Sequence, residues 1–265
     1  MRDTRNFKRR VWDFYKTQGR NLPWRKTRDP YKILVSEIML QQTRVSQVLK
    51  IYPRFLKTFP DFKTLDKVPF RDILRVWKGL GYNQRALALK KIAGIVVRKY
   101  GGKLPKTQPE LLCFPGIGEA TSQSILVFAF NVPEVFIETN IRRVFLYHFF
   151  PKKDNVSDHE IIKWVRKTLD YENPREWYFA LMDYGSTLPK SANRRSSRYI
   201  KQKPFKGSLR EIRGKILSIL LEKGSVSRPY LSKRLDVKSI ILRKILLKMK
   251  EEGLLVFSKN RITLS

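Results

Sequence analysis

The chain has 265 residues, which is enough for one large domain or two smaller ones with hydrophobic cores. Its 56 lysines and arginines against 23 acidic residues give a formal net charge of +33, which favours a polyanionic partner such as nucleic acid. A hydrophobic content of 42% with five tryptophans excludes a disordered chain, and no apolar run is long enough to span a membrane. Cys113 is the only cysteine, which excludes an internal disulfide and, within one chain, a thiolate-ligated cluster or zinc site. The basic N-terminal residues lack an apolar signal core, so we expect a cytoplasmic protein beside the chromosome.

Apolar residues recur at helical spacing through most of the chain. In its first half they predict helices over residues 7–17, 31–42, 45–59, 72–77 and 83–100. Pro30 suits the first turn of the second helix, and Gly101 and Gly102 end the fifth. In the second half they predict helices over residues 108–113, 119–130, 141–149, 158–169 and 176–184. Few segments alternate as strands do, so we predict a mainly α fold class.

The character of the sequence changes near residue 187. Residues 187–206 are basic, polar and almost free of large aliphatic side chains, which is typical of a DNA-contacting arm or a domain boundary. Beyond them, the spacing predicts three helices and a terminal β-hairpin, over residues 210–222, 227–235, 238–252 and 254–264. This order is the winged-helix pattern, a variant of the helix-turn-helix. We therefore predict a large domain at residues 1–206 and a small winged-helix-like C-terminal domain at residues 207–265.

The third helix of this C-terminal domain is strongly basic. Its cationic side chains are Lys238, Arg243, Lys244, Lys248 and Lys250. Such a helix is able to enter a DNA groove. A protein–protein module is the alternative, because many winged helices bind no DNA, and the sequence leaves both interpretations open.

A Pro-Gly turn at residues 112–118 lies between two predicted helices. Gly116 and Gly118 let the backbone approach a phosphate closely and point its N–H groups outward. The helix that follows adds its positive N-terminal end. A turn of this kind holds the DNA backbone without reading its sequence, so we predict phosphate binding at these two glycines.

Glu37 is the first candidate catalytic residue. Its helical neighbours are Ile33, Leu34, Leu40 and Gln41, so the carboxyl group shares a largely apolar face. Desolvation there raises its pKa and keeps it able to donate a proton. An exposed helix glutamate is the commoner arrangement, but it would leave these apolar neighbours in water, and we therefore favour a buried acid.

Glu138 is the second candidate. It follows an apolar run at residues 135–137 and precedes a predicted helix, for which Thr139 or Asn140 is the expected N-cap. Alone, it could simply stabilise the N-terminus of that helix. Together with Glu37 it supplies the two carboxyl groups that cleavage at a sugar anomeric carbon needs. One protonates the departing group, and the other faces the oxocarbenium-like cation.

Six segments give the sequence a specific resemblance. They are LPWR (22–25), DPYKILVSEIMLQQTRV (29–45), WKGLGY (77–82), GGKLP (101–105), FPGIG (114–118) and ETNIRRV (138–144). Their order and spacing resemble those of the MutY adenine DNA glycosylases, which belong to the helix-hairpin-helix glycosylase superfamily. SEIMLQQT is the most specific element, since endonuclease III and the thymine-mismatch glycosylases look different there. The resemblance covers residues 7–190 and implies a two-lobed fold, with one lobe at 23–131 and the other at 1–22 and 132–206.

The resemblance also implies roles for the matching residues. Glu37 corresponds to the general acid that protonates adenine at N7, and Glu138 to the carboxylate that stabilises the sugar cation. The target base would leave the stack and enter a pocket. The other correspondences are the DNA-wedge residues Gln41 and Gln42, the adenine-pocket residues Trp24 and Arg25, the partner-base aromatic Tyr82, and the hairpin glycines Gly116 and Gly118.

Three positions depart from the family pattern. The family has aspartate where this chain has Glu138, and the extra methylene displaces the carboxylate by about an ångström or more. Family members often have serine or tyrosine at the position of Ala120, and glutamine or glutamate near Phe179, and both positions line the base pocket. Relatives that also cut the strand have a lysine at the position of Ala120, so this chain cannot form a Schiff base there.

Two larger features of the family are missing. The four-cysteine iron–sulfur loop is expected after Gly185, where this chain has RRSSRYIKQK. The Nudix-like C-terminal domain is also missing, because the 58 residues from Ser208 are too few and too helical for it. We therefore expect no metal site and no cofactor, with a monovalent cation at the hairpin as the one candidate ion.

The sequence thus favours a monofunctional glycosylase that removes adenine opposite 8-oxoguanine or guanine in base-excision repair. We expect it to act as a monomer on double-stranded DNA that contains a mismatch or lesion, away from membranes. One alternative is a glycosylase for uracil or thymine in G mismatches, or for hypoxanthine, which the altered pocket motivates. Another is a non-catalytic DNA-binding protein, which would bind duplexes without forming an abasic product.

Overall fold

The computed structural model describes residues 4–201, 204–205 and 207–265. Helices dominate these residues, and the mainly α fold class is confirmed. In chain order the helices are α1 (Thr4–Gln18), α2 (Pro30–Leu40), α3 (Val45–Thr58), α4 (Phe62–Lys67), α5 (Phe70–Trp77), α6 (Gln84–Tyr100), α7 (Gln108–Leu112), α8 (Glu119–Phe130), α9 (Thr139–Phe149), α10 (Asp158–Thr168), α11 (Pro174–Thr187), α12 (Leu209–Lys223), α13 (Arg228–Leu235) and α14 (Ser239–Glu251). Short 3-10 helices cover Pro23–Arg25 and Lys190–Arg195, and the strands are β1 (Ser225–Val226), β2 (Leu255–Ser258) and β3 (Arg261–Leu264). Among the helices of these residues, none combines the length and the apolar character that crossing a membrane requires.

The chain packs as two units. The first contains the described residues of Met1–Glu37, Pro105–Cys113 and Ile117–Lys201, and the second those of Ile38–Leu104, Phe114–Gly116 and Gln202–Ser265. The lobes expected at residues 23–131 and at 1–22 with 132–206 stay a prediction. The assignment of residues 1–206 and 207–265 as two domains stays a prediction.

The first unit is built around the aromatic core of α1, α9 and α11. Trp177 of α11 is fully buried, and Phe7 of α1 meets it edge-on with ring centroids 6.2 Å apart. Phe7 also contacts Phe145 and Phe149 of α9. These residues recur at helical spacing in the sequence, which is why the faces that pack here are predictable from it.

Residues 190–198 are folded onto the first unit. Val156 and Ser196 form an isolated parallel β-bridge, in which Val156 N–H donates to the Arg195 carbonyl at 2.8 Å and Ser197 N–H to the Val156 carbonyl at 3.0 Å. Asp158 pairs with Arg142 at 2.9 Å and with Arg198 at 3.2 Å. This part of the predicted linker 187–206 is therefore anchored by hydrogen bonds and ion pairs. Residues 202, 203 and 206 of that linker lie outside the described residues.

The C-terminal part of the second unit has the winged-helix element order α12–β1–α13–α14–β2–β3. Its three strands form an antiparallel sheet in the order β1-β3-β2, with Ile262 of β3 opposite both Val226 and Phe257. The predicted winged-helix-like domain is confirmed as a fold, but β1 was not predicted, because two residues are too few to show strand alternation.

Direct hydrogen bonds attach this C-terminal part to the α5–α6 region of the same unit. The Glu252 carboxylate accepts from Gln84 Nε2 of α6 at 2.7 Å and from Arg213 of α12 at 3.0 Å. Arg71 of α5 donates to the Leu221 carbonyl at 3.1 Å. The tail therefore shares one packed unit with the helices at residues 38–104.

Candidate active site

Glu37 lies in the third turn of α2, where the preceding turn is fully buried. Ile33 and Leu34 are buried in the core, whereas Glu37 itself is half-buried. Ser124 of α8, which is 3% exposed, donates its hydroxyl hydrogen to Glu37 Oε2 at 2.6 Å. Burial raises the pKa of Glu37 to about 7, the Ser124 hydrogen bond opposes that rise, and the charge of Glu138 adds to it. The carboxyl group is therefore partly protonated near neutral pH, as a general acid has to be.

Glu138 is the N-cap of α9. Its Oε1 accepts from the backbone N–H groups of Asn140 and Ile141, each at 2.8 Å, and its Oε2 accepts from Asn140 Nδ2 at 3.2 Å. The expectation of Thr139 or Asn140 as the cap was wrong. Glutamate ranks low among capping residues, but here its longer side chain folds back onto the N2 and N3 amides.

The two carboxyl groups are in different electrostatic situations. Burial raises the pKa of Glu138, against the N–H groups of Asn140 and Ile141 and the charges of Arg142 and Arg143, which lower it. Amide N–H groups only donate, so they stabilise the ionised form of Glu138. The Glu37 carboxyl accepts from one hydroxyl group, that of Ser124, where Glu138 accepts from backbone amides. More donors therefore stabilise the ionised form at Glu138 than at Glu37, which favours Glu37 as the proton donor and Glu138 as the carboxylate.

Gly185 fixes the position of this cap. A Cβ at residue 185 would lie 2.4 Å from the carbonyl oxygen of Asn140, so a larger residue would push α11 away from the start of α9. Across this contact, Arg143 donates to the Gly185 carbonyl at 2.7 Å and to Asn140 Oδ1 at 3.2 Å. The location of the Glu138 carboxylate therefore depends on the close approach of α9 and α11.

Arg25 and Asp183 form a buried ion pair. Asp183, which is 1% exposed, accepts from both terminal nitrogens of Arg25 at 2.7 Å and from the Arg20 backbone N–H at 2.7 Å. Burial alone would raise the pKa of Asp183, but the bonds from Arg25 and Arg20 outweigh it and hold the pKa below its usual range. The Arg25 side chain, expected at the pocket wall, is only 7% exposed and engaged in the interior.

Phe179 and Trp24 also lie in the interior of the first unit. Phe179 stacks on Phe128 with ring centroids 4.7 Å apart, and the Arg25 guanidinium lies 4.5 Å from the Phe179 centroid. Phe179 and Trp24 are each 5% exposed. Their predicted contact with a base stays a prediction, and it would require these packed side chains to form the wall of the pocket.

Ala120 and Gly118 lie at the start of α8. Ala120 is exposed in the first turn, so a methyl group stands at the position where strand-cutting relatives carry lysine. Gly118 is the N-cap, has extended backbone, and has open space around its Cα. The first backbone N–H groups of α8 therefore have no capping side chain at residue 118, as phosphate binding would require.

Gly116 occupies the hairpin in the second unit. Its φ of +78° lies in the left-handed region, and an added Cβ would stand 3.3 Å from Ala88 Cβ, so this position requires glycine. Gln41 Nε2 donates to the Gly116 carbonyl at 3.2 Å. A cavity of about 190 Å³ lies beside the hairpin, and its polar lining includes Gln41, Gln84 and Lys91.

Arg85 supports two predicted DNA-contacting loops of the second unit. Its guanidinium donates to three carbonyls at the end of α2, those of Ile38, Met39 and Gln41, at 2.5–2.9 Å. It also donates to the carbonyls of Leu80 and Gly81 at 3.2 and 3.1 Å. Burial lowers the pKa of Arg85 to about 10. One buried cation therefore ties the loop of Gln41 and Gln42, which is the predicted wedge loop, to the loop that carries Tyr82.

Both of these loops contain a non-glycine residue in the left-handed region. Gln42 has φ +54° and Tyr82 has φ +47°, conformations that cost about 1–3 kcal/mol each and persist only when the surroundings hold them. Tyr82 is 36% exposed, and its hydroxyl accepts from Arg210 of α12 at 2.8 Å. Strained, exposed polar and aromatic side chains on a rigid support are typical of a binding surface.

The sequence interpretation missed Ser124, Asp183 and Arg85. Asp183 follows Ala180, Leu181 and Met182, so the argument applied to Glu37, a carboxylate on an apolar helix face, would also have found it. Ser124 and Arg85 lack a local indication, because their partners are 87 and up to 47 positions away. Among the residues that the structure describes, no three His, Cys, Asp or Glu side chains come together as a metal site would require.

Comparison with known families matches the part of the chain that carries these residues. A family model for the "HhH-GPD superfamily base excision DNA repair protein" matches residues 35–167, a range that includes Glu37, the hairpin and Glu138. The adenine DNA glycosylase of Buchnera aphidicola subsp. Baizongia pistaciae is 36% identical over 192 residues, which are 71% of this chain and 54% of that one. This chain therefore spans about half the length of that curated relative.

Relatives that act on other bases match as well. The thymine/uracil-DNA glycosylase of Methanothermobacter thermautotrophicus is 33% identical over 196 residues, which are 71% of this chain and 89% of that one. Among solved structures, a thermostable thymine-DNA glycosylase superposes with a TM-score of 0.64 and 29% identity, covering 70% of this chain and 87% of that one. An endonuclease III bound to DNA, at a TM-score of 0.60 and 20% identity, shares the fold. On its matching family model, its relatives and its fold, this chain belongs to the HhH-GPD superfamily of base excision DNA repair proteins.

Proposed function

We propose that the protein is a monofunctional DNA glycosylase that removes a flipped base from duplex DNA, with adenine opposite 8-oxoguanine or guanine as its preferred substrate. One observation carries the proposal. Glu37, whose pKa burial raises to about 7, lies in one packed unit with Glu138, whose carboxylate accepts from two backbone N–H groups, and the charge of Glu138 raises the pKa of Glu37 further. That pairing is what cleavage at an anomeric carbon requires.

In the proposed reaction, Glu37 donates its proton to the departing base. The glycosidic bond breaks, and the bonding electron pair leaves with the base. The ionised Glu138 faces the positive charge that develops on the sugar. Water then bonds to the anomeric carbon and loses a proton to solvent or to Glu37, so the products are the free base and an abasic site. Ala120 offers no amine, so the reaction ends there without cutting the strand.

DNA is the proposed macromolecular partner, bound by a monomer. The support is the formal charge of +33, the N-terminus of α8 without a capping side chain at Gly118, and the left-handed glycine at residue 116 of the hairpin. A chromosomal substrate would place the protein in the nucleoid.

We propose that this binding and chemistry need no metal cofactor. One cysteine cannot ligate an iron–sulfur cluster. The segment after α11, where relatives carry the cluster loop, is anchored here by the Val156–Ser196 bridge and by Asp158. Protein purified under reducing conditions should therefore contain no stoichiometric iron and stay active after chelation.

Removal of thymine or uracil is the second candidate function. It is supported by the 33% identity to a thymine/uracil-DNA glycosylase of which this chain covers 89%, and by the apolar Phe179 in place of a polar pocket residue. It uses the same two carboxylates, so the preferred base distinguishes the two candidates.

The test is base release from a panel of duplexes with A, T, U or hypoxanthine opposite G or 8-oxoguanine, with alkali to reveal abasic sites. Glu37→Gln keeps the size of the side chain but has no acid proton, so it should abolish release while duplex affinity is retained. The matched control is Glu172→Gln, the same change at an exposed glutamate. Release by Glu37→Gln within a few-fold of the unmodified protein would refute the acid role, and binding without release from any duplex would support the non-catalytic alternative.

A further inference from the structure

Ser124 is a buried polar residue whose hydroxyl has two acceptors and one hydrogen. Its Oγ lies 2.6 Å from Glu37 Oε2 and 3.0 Å from the Thr121 carbonyl oxygen one turn earlier in α8. Helix serines ordinarily satisfy their hydroxyl on such a carbonyl. The shorter contact at Ser124 goes instead to the side chain that the proposed reaction uses as its acid.

The two acceptors differ in what they offer when Glu37 changes its protonation state. An ionised carboxylate is a stronger acceptor than a carbonyl, so the Ser124 hydrogen turns to Glu37 when Glu37 is charged. When Glu37 is protonated, its oxygen becomes a weaker acceptor, and the Thr121 carbonyl competes for the hydrogen. The serine therefore stabilises the charged form of Glu37 selectively, in a site where burial favours the neutral form.

The contact also holds the Glu37 carboxyl in place, because Oε2 is joined to the buried Ser124 hydroxyl at 2.6 Å. Glu138 is the charged group whose field reaches Glu37, and its negative charge acts in the opposite direction to the serine.

We propose that Ser124 is a positioning residue for the acid, which holds the Glu37 carboxyl through Oε2 and sets the pH range in which Glu37 donates its proton. This inference rests on the proposed glycosylase function for its kinetic consequence. The contact and its effect on ionisation can be measured without any activity.

The test compares Ser124→Ala and Ser124→Cys with Ser122→Ala. Ser122 lies on the same helix, is fully buried, and donates to the Glu119 carbonyl at 2.8 Å, so its variant loses the same atom without touching Glu37. Cysteine keeps the volume of serine but is a weak donor, and it serves as the second variant if the alanine protein does not fold. Ser124→Thr restores a hydroxyl. The ionisation of Glu37 is followed by carbon-13 NMR of its carboxyl, assigned with Glu37→Gln, and the single-turnover rate is measured against pH.

Loss of the hydrogen bond removes a contact that favours the charged form, so the titration midpoint of Glu37 should rise, by about one pH unit for a bond to an ionised group. The rate falls as pH rises through that midpoint, because the acid loses its proton, so the falling limb should move to higher pH by the same amount. The cysteine variant should move it in the same direction, and the threonine variant should return it toward its original position.

An unchanged midpoint in both Ser124→Ala and Ser124→Cys would overturn the inference, as would an equal rise in Ser122→Ala. A raised midpoint in a protein that releases no base from any duplex would uphold the effect on Glu37 and overturn the proposed function. A raised midpoint with an unmoved rate profile would overturn the kinetic role of Ser124 and leave the glycosylase function standing.

Discussion

Glu138→Gln separates the structural from the chemical role of this residue. Glutamine has the same length, and its amide oxygen can still accept from the backbone N–H groups of Asn140 and Ile141, which now lie 2.8 Å from Oε1. The negative charge is lost. The variant therefore keeps a helix cap of reduced strength and removes the group that would face the sugar cation.

The loss of stability from the weakened cap and the loss of rate from the missing charge differ in size. Charge-assisted hydrogen bonds are about twice as strong as neutral ones, so weakening two of them should cost α9 about 1 kcal/mol, inside the range of about 0.5–2 kcal/mol for lost caps. That lowers the Tm by only about 2–4 °C in a protein of this size. Loss of one positioned group in the transition state costs at least about a hundredfold in rate, or about 2.7 kcal/mol. The catalytic loss should therefore be clear in a protein that is still folded.

Single-turnover release of adenine and thermal unfolding, measured on the same preparations, make the comparison. Ser157→Ala is the matched control, because Ser157 caps α10 in the same unit through a capping box and does not contact Glu37 or Glu138. It should lose similar stability and keep its rate. A Glu138→Gln rate within a few-fold of the original, or an equal rate loss in Ser157→Ala, would refute the reasoning. Glu138→Asp should slow the reaction, because the longer side chain already fits both amides at 2.8 Å.

Three further predictions concern other parts of the molecule. Asp183→Asn should lower the free energy of unfolding by about 3–5 kcal/mol in urea titrations, because it leaves Arg25 buried without its partner, whereas exposed Asp154→Asn should change it little. Because the pKa of Asp183 is lowered on folding, its contribution is complete above the unfolded value near pH ~3.9 and is lost as pH falls below it, so the Asn variant should be less sensitive to acid. Borohydride should trap no covalent complex with DNA, and an efficiently trapped adduct would show that another amine acts in place of the lysine missing at Ala120. Lys244→Ala, on the exposed face of α14, should weaken duplex binding and reduce the salt slope by about 0.9, whereas an unchanged slope would assign this helix to another kind of partner.

Features that depend on residues close together in the sequence could be predicted from it. The helices were predictable because their apolar residues repeat at the helical period, and the winged-helix order because three such helices precede a hairpin. Helix α4 was missed because its six residues make less than two turns of pattern. The raised pKa of Glu37 was predictable because its apolar neighbours lie within one turn in the sequence.

What escaped prediction depends on distant partners. Asp183 and Arg25 are 158 positions apart in the sequence, and Ser124 and Glu37 are 87 positions apart. Contacts over such separations produce no periodic pattern in the sequence. The cap of α9 was mispredicted for a different reason. Preferences for capping residues describe the average helix start. At Glu138 the same carboxylate caps α9 and is also the second carboxyl group of the candidate site.

The attachment of two loops to Arg85 limits how this protein can be redesigned. The predicted wedge loop at Gln41 and Gln42 and the loop at Tyr82 depend on the hydrogen bonds of the same guanidinium, so a substitution at residue 85 changes both at once. Library mutagenesis aimed at a new base preference should therefore vary the loop side chains and keep Arg85 fixed. Substitutions in the two loops should also be non-additive, because each loop is held in its strained backbone by a support that the other shares.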